Sequence, residues 1–293
     1  MGLEVEEGRS TMSITLRPRE SRTLDQIRDH YQIEKELASR LRNSRREERA
    51  NLYPLLYDEL FRRVPLHPQL TRVLDPKQVT EIVTDKMRLL SRYLRRDTVF
   101  LELGAGDCRL ALAVASHVKH VHALDVSQEV NVGMRYPTNF AFVLSNGTDI
   151  PMPPCSVDVA YSYQLMEHVH PDDALEQLSN IYRVLAHGGV YICITPNRLS
   201  GPHDVSQYFD DSPTGFHMQE YTATELGKVF RNVGFENVTA LIEARKRFVE
   251  LPVEVLRGLE ITLSSLPRPL RMPVAQAPVL RNLLMAAVIG KKK

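Results

Sequence analysis

The stretch Val99–Asp107, Val-Phe-Leu-Glu-Leu-Gly-Ala-Gly-Asp, limits what this chain can become more than any other. An apolar strand that runs into a glycine-spaced turn leaves bare backbone amides at the mouth of the helix that follows. Glycine is needed there for close backbone approach and for freedom in φ. A second apolar run, His120–Val126, brings its own carboxylate, Asp125. Strand, turn, helix and strand at this spacing form a parallel crossover unit, and parallel sheets are covered on both faces. Glu102 and Asp125 beside the turn suit a ligand with a cationic end and a ribose diol.

Downstream, the pattern keeps alternating. Strands are predicted at 99–103, 120–126, 140–145, 157–163, 190–195 and 236–242, with helices at 109–117, 127–134, 172–185 and 222–233. Such alternation predicts an α/β fold with a mostly parallel sheet. Asp172 and Asp173 after Pro171 are expected to cap one helix, and Gly188-Gly189 to close it. Upstream, residues 1 to about 22 show no periodicity and read as a flexible leader. From Thr23 to Arg63 apolar residues recur at helical steps, and Pro65, Pro68 and Pro76 mark a hinge before a helix over 79–94. In the tail, 251–263 reads as helical and the residues around Pro267 as a break. The ending over 283–289 is read as a strand.

Composition excludes several classes. A formal charge of +1 gives no reason to expect a nucleic-acid partner. The basic run Arg42–Arg49 contains Glu47 and Glu48 and reads as a solvated helix face. Three cysteines without metal-ligand spacing fit a reduced cytoplasm. The longest apolar run is too short to span a bilayer, so no membrane span is expected.

Glu102-Leu-Gly-Ala-Gly-Asp resembles the cofactor loop of the class I S-adenosylmethionine-dependent methyltransferases, those of type 11 in particular. The dinucleotide fingerprint wants a third glycine where this chain has Arg109, and Glu102 would repel a pyrophosphate. The methyltransferase loop often ends in a glycine where this chain has Cys108. Ser145–Pro153 resembles the family's segment after its third strand, which puts Asn146 and Gly147, with Asp149 as the competitor, on the adenine edge. The segment 157–169 resembles the fourth strand and its exit, placing Tyr163 and Gln164 next to the sulfonium. The segment 184–197 resembles the fifth-strand unit, and Gly215–Thr222 resembles a His-x-x-Glu-Tyr-Thr stretch of methyltransferases acting on sugars and small metabolites.

The resemblance implies a Rossmann-like fold, a mostly parallel seven-stranded sheet with helices on both faces and a helical N-terminal cap. It divides the chain into leader and cap over 1–75, an S-adenosylmethionine-binding core over 76–243, and a helical insertion with a closing antiparallel strand over 244–293. S-adenosylmethionine is the implied cofactor, held by Glu102, Gly104, Gly106, Asp125, Asn146, Gly147, Tyr163 and Gln164. The implied reaction is SN2 transfer of a methyl group to a small-molecule acceptor, first a hydroxyl of a secondary metabolite or sugar. His217 and His168 are the candidate general bases, since imidazole titrates near neutrality. His203, Tyr221 and Tyr31 are candidate substrate contacts. A metal held by His168, His203, Asp204 and His217 matches no known ligand spacing, so none is expected. N- or C-methylation, an NAD-dependent oxidoreductase or epimerase, and a cofactor-binding protein without turnover are the alternatives. The oligomeric state stays open.

Overall fold

The computed structural model describes residues 20–71, 75–127, 135–244 and 247–293. Its centre is an eight-stranded sheet in the order β3-β2-β1-β4-β5-β8-β6-β7. The strands are β1 (Val99–Leu103), β2 (His120–Asp125), β3 (Phe140–Leu144), β4 (Val157–Tyr163), β5 (Leu185–Thr195), β6 (Glu236–Ala244), β7 (Arg247–Pro252) and β8 (Ala286–Lys291). β1 to β5 are parallel, and β8 inserts antiparallel between β5 and β6. The α/β class and the antiparallel closing strand agree with the reading above. The eighth strand, β7, was not expected. It pairs antiparallel with β6, the strand just before it, and puts alternating Phe248 and Glu250 where an insertion without strands had been expected.

Ten helices accompany the sheet among the described residues: α1 (Leu24–Arg42), α2 (Arg46–Arg63), α3 (Pro68–Thr71), α4 (Pro76–Leu90), α5 (Arg109–Ala115), α6 (Pro171–Val184), α7 (Ala223–Val233), α8 (Arg257–Ser265), α9 (Arg268–Gln276) and α10 (Pro278–Leu283). The alternation of side chains along β5 shows why helices cover both faces. Tyr191 and Cys193 pack with Leu178, Ile181 and Val184 of α6 and with Leu226 and Phe230 of α7. Ile192 and Ile194 point the other way, into a cluster with Leu89 and Leu90 of α4 and with Leu110, Ala111 and Val114 of α5. Period two in a strand buried on both sides gives two apolar layers.

Several local expectations change. The helical stretch 23–63 is two helices, broken at Asn43, with Thr23 and Gln26 forming a capping box at the start of α1. The cap of α6 is His170, whose side chain accepts from the Asp172 amide, while Asp173 is buried as an ion-pair partner. Gly188-Gly189 does not end that helix: α6 stops at Val184, and both glycines lie inside β5, where the register with β4 shifts. Gly188 takes a φ of +78°, which a residue with a Cβ rarely adopts. The break expected around Pro267 is present: α8 ends at Ser265, and α9 starts at Arg268 with Pro267 as its N-cap and Pro269 in its first turn. The helix expected over 127–134 lies outside the described residues, Ser127 excepted, as does the leader up to residue 19.

α1 and α2 form the cap over the carboxyl ends of the strands, sharing an apolar cluster with Phe216 and Met218. Arg49 of α2 donates both Nε and Nη2 to the Asp173 carboxylate at 2.7 Å, and the Tyr53 hydroxyl donates to the same group at 2.8 Å. The run Arg42–Arg49 is therefore not simply a solvated face. Arg49 is 3% exposed, and Arg42 donates to the carbonyls of Thr214, Gly215 and His217.

Candidate active site

β1 ends in the turn that begins at Gly104. Gly104 and Gly106 adopt φ of +69° and +51°, and a Cβ on Gly104 would come within 3.2 Å of Leu165. Among the described residues beyond its own chain neighbours, no atom lies within 4 Å of where a Cβ would sit on Gly106. Cys108 takes φ 56° at the N-cap of α5. The left-handed backbone that a glycine would favour there is thus kept by a cysteine. Asp125, at the end of β2, closes the turn from the other side: Oδ2 accepts from the Gly106 amide at 2.7 Å, and Oδ1 accepts from Val126 and Ser127.

Glu102 is 5% exposed, and its Oε2 has no hydrogen-bond partner among the described residues. Burial pushes the carboxyl up to about 8, against the pull of the Lys86 ammonium. Lys86, on α4, lies 4.0 Å over the Tyr163 ring, and with Glu102, Gly104, Asp107 and Tyr163 it lines a small cavity of about 170 Å³. Lys86 was not foreseen. Its helix precedes the glycine turn in sequence, and only the packing of α4 on α5 brings it there.

Gln164, the next residue after Tyr163, has φ 57° and lines a much larger cavity of about 1080 Å³. His168, His203 and His217 line it too, together with Tyr57, His30, Glu34 and His67 from the cap. Glu20, Ser21 and Arg22 also face it, so this part of the expected leader is packed: Arg22 pairs with Glu20 at 2.7 Å and donates to His30 Nδ1.

The loop carrying His217 is held on three sides. Arg42 donates to three of its carbonyls, Glu34 Oε1 accepts from the Phe216 amide, and Asp204 Oδ2 accepts from Gly215 and His217. His217 Nδ1 lies 2.6 Å from Glu220 Oε1, and His203 Nδ1 lies 3.1 Å from Glu220 Oε2. Burial would raise the Glu220 carboxyl, but bonds from both histidines hold it down at about 2. Burial likewise works against a charge on His217, and Glu220 outweighs it, so the imidazole titrates above its ordinary value. His168 stands edge-on to His217 with ring centroids 4.8 Å apart, and burial pulls it down to about 3.

Other sequence candidates have different neighbours. Asn146 uses Oδ1 to accept from the amides of Thr148 and Asp149, which shapes the turn. Gly147, at φ +99°, lets the loop lie against Tyr53, where a Cβ would come within 3.1 Å of the ring. Tyr221, a candidate substrate contact, is 2% exposed within the main apolar cluster. Tyr31 has its own set of partners. It packs on Phe209 and donates to Asp210, so it joins α1 to the loop after β5 and does not line the cavity. Tyrosines at helical spacing looked like cap contacts, but an amphipathic helix buries the same residues for packing.

Residues 101–193 match the model of the family described as a methyltransferase domain. A protein of Mycolicibacterium smegmatis named a probable S-adenosylmethionine-dependent methyltransferase is 34% identical over 151 residues, which is 51% of this chain and 55% of that protein. A similarly named protein of Mycobacterium tuberculosis is 31% identical over 153 residues, 52% of this chain and 53% of its own length. The chain thus spans about half the length of these relatives. Among solved structures, a SAM-dependent methyltransferase from Archaeoglobus fulgidus aligns with 82% of this chain and all of its own at 18% identity and a TM-score of 0.48. The matched segment runs from within β1 to within β5 and holds the glycine turn, Asp125 and the Glu167-His168 pair. The similarity to that family is thus confined to residues 101–193.

Proposed function

We propose that the protein is an S-adenosylmethionine-dependent methyltransferase acting on a small-molecule acceptor, with a hydroxyl of a secondary metabolite or sugar as the methylated group. The observation that carries this reading is the buried, unpartnered Glu102 oxygen beside a left-handed glycine turn closed by Asp125. An ammonium group would satisfy that oxygen and favour the ionised form of the carboxyl. The residues present therefore fit the cofactor: Glu102 for its amino end, the Gly104–Gly106 backbone for close approach, Asp125 for the ribose, and the 145–149 turn with Asn146 and Gly147 for the adenine side. S-adenosylmethionine supplies a methyl group already activated on a sulfonium.

What remains for the chain is alignment, exclusion of water and handling of a proton. Tyr163 and Gln164 stand between the small cavity at the glycine turn and the large polar one, where an acceptor would enter. His217 is oriented by Glu220 through Nδ1, which turns Nε2 into the nitrogen able to take a hydroxyl proton. The cap helices line the larger cavity through His30, Glu34 and Tyr57 and would shape acceptor choice. A second copy, a nucleic acid and a membrane have no part in this reading.

The test is product formation from S-adenosylmethionine over a panel of hydroxylated acceptors, with amines as the counter-panel. Turnover of hydroxyl acceptors is expected, with His217→Gln lowering kcat by about 10²–10⁴-fold at little cost in cofactor affinity. Turnover confined to amines, or an unchanged kcat in the variant, would contradict the hydroxyl assignment.

A further inference from the structure

Behind Gln164 the chain makes a short 3-10 turn, Met166–His168, and two side chains on it point toward His217. The Glu167 side chain is fully buried. Its Oε2 accepts from the Thr195 hydroxyl at 2.6 Å, whereas Oε1 has no hydrogen-bond partner among the described residues. An unmade bond to a buried carboxylate oxygen is costly, so a residue of this kind is rarely kept without something to face. What Oε1 faces is imidazole: His168 Nε2 stands 4.0 Å away.

The tautomers of both histidines are fixed from outside. His168 Nδ1 lies 3.1 Å from the Phe216 carbonyl, which can only accept, so the proton sits on Nδ1 and the lone pair on Nε2. His217 Nδ1 donates to Glu220 Oε1 at 2.6 Å, and Glu220 is itself held by the backbone amide and the ring of His203. A metal-bound imidazole has this same arrangement, in which one nitrogen donates to a carbonyl or carboxylate and the other is presented to the ion. One ligand atom from each of Glu167, His168 and His217 lies within 4.8 Å of the other two.

We propose that Glu167, His168 and His217 form a divalent-metal site on the wall of the large cavity, with Phe216 and Glu220 as the groups that orient the two imidazoles. Two nitrogens and one carboxylate oxygen suit zinc, manganese, iron(II) or cobalt(II) rather than calcium. An ion with bonds of about 2.0–2.2 Å needs ligands roughly 3–3.5 Å apart, so the three side chains close by about an ångström on binding. The protein supplies three ligands and leaves the remaining positions to water or an acceptor oxygen. This last step rests on the methyltransferase reading: an acceptor hydroxyl bound to the ion loses its proton more easily, to solvent water, and His217 then serves as a ligand in place of a base.

The other histidine cluster in the cavity is a poorer candidate. Both nitrogens of His30 are engaged, Nδ1 by Arg22 at 2.7 Å and Nε2 by Glu34 at 2.7 Å, and Glu34 Oε1 already accepts from Phe216. The Arg22 guanidinium beside it would also repel a cation.

The site can be tested without any acceptor. The full chain, stripped with a chelator, is titrated with Co2+ and followed by ligand-field absorption, and with Mn2+ followed by electron paramagnetic resonance. One ion per chain is expected, with a low-coordinate nitrogen and oxygen spectrum for Co2+. His168→Ala and Glu167→Gln should abolish that spectrum, and Glu220→Gln should weaken binding about 10–100-fold. Titration with S-adenosylhomocysteine reports in parallel whether each variant is folded, and it separates the two claims. Absence of metal binding in a native protein that binds S-adenosylhomocysteine overturns the site and leaves His217 as a base. Metal binding without S-adenosylhomocysteine binding would overturn the methyltransferase reading alone. An unchanged spectrum in His168→Ala and Glu167→Gln would place the ion elsewhere and also overturn the site.

Discussion

Glu102 carries the most direct consequence for solution behaviour. Burial keeps its proton on to about pH 8, and a ligand ammonium favours the ionised form. Binding of S-adenosylhomocysteine therefore releases a proton, and affinity climbs with pH up to about 8, by at most about tenfold per unit. Calorimetry in buffers of different ionisation heat measures that proton, and Glu102→Gln should bind more weakly with a flat profile. Affinity that falls as pH rises toward 8 would contradict the role. The glycine turn, Glu102 and Asp125 could be read from the sequence because the strand and turn that place them are continuous in the chain. Lys86, Tyr57, Glu167 and Glu220 could not be read in the same way. Lys86 and Tyr57 reach their cavities through packing between elements distant in sequence, whereas Glu220 meets His217 three residues away within one loop and Glu167 sits inside a helix-start pattern. Tyr31 and Tyr221 are both buried, which residue type and position alone do not reveal.

Among the elements, the contact between α2 and α6 decides how the cap is held. Arg49, Tyr53 and Asp173 form a buried bidentate ion pair with a hydroxyl on the same carboxylate, and the Tyr53 hydroxyl also accepts from the His170 amide. Removing one partner leaves an uncompensated buried charge, so Asp173→Ala should cost about 3–5 kcal/mol. Denaturant unfolding measures that loss, and a cost under about 1 kcal/mol would mean that apolar packing alone holds the cap. Strand positions were legible at this scale because runs such as Val157–Tyr163 and Val190–Thr195 are apolar and bounded by turn residues. β7 escaped notice because Arg247–Pro252 mixes Arg, Glu and Pro with apolar residues and lies at a sheet edge, where composition is least demanding. The start of β5 was misread for a different reason. Gly188-Gly189 looks like a helix stop, yet Leu185 already pairs with Val157 and the glycines absorb the shift in register.

At the level of the whole molecule, three parts meet at the carboxyl ends of β1, β4 and β5. The sheet provides the glycine turn and Asp125, the α1–α2 cap closes the larger cavity, and the loop held by Arg42, Glu34 and Asp204 brings in His217. Among the described residues no helix is long and apolar enough to cross a membrane. Ligand binding should tie these parts together, adding about 2.7 kcal/mol of stability at a ligand concentration 100 times Kd. The measurement that bears most directly on the central claim is calorimetric titration of the full chain with S-adenosylhomocysteine, beside NAD and beside Asp125→Ala. Saturable binding of S-adenosylhomocysteine at one site per chain is expected, with no heat from NAD and an affinity about 10–100-fold lower in the variant, since hydrogen bonds to a charged group are at stake. Saturable binding of NAD with none of S-adenosylhomocysteine would contradict the account and leave Glu102 and Asp125 without their roles.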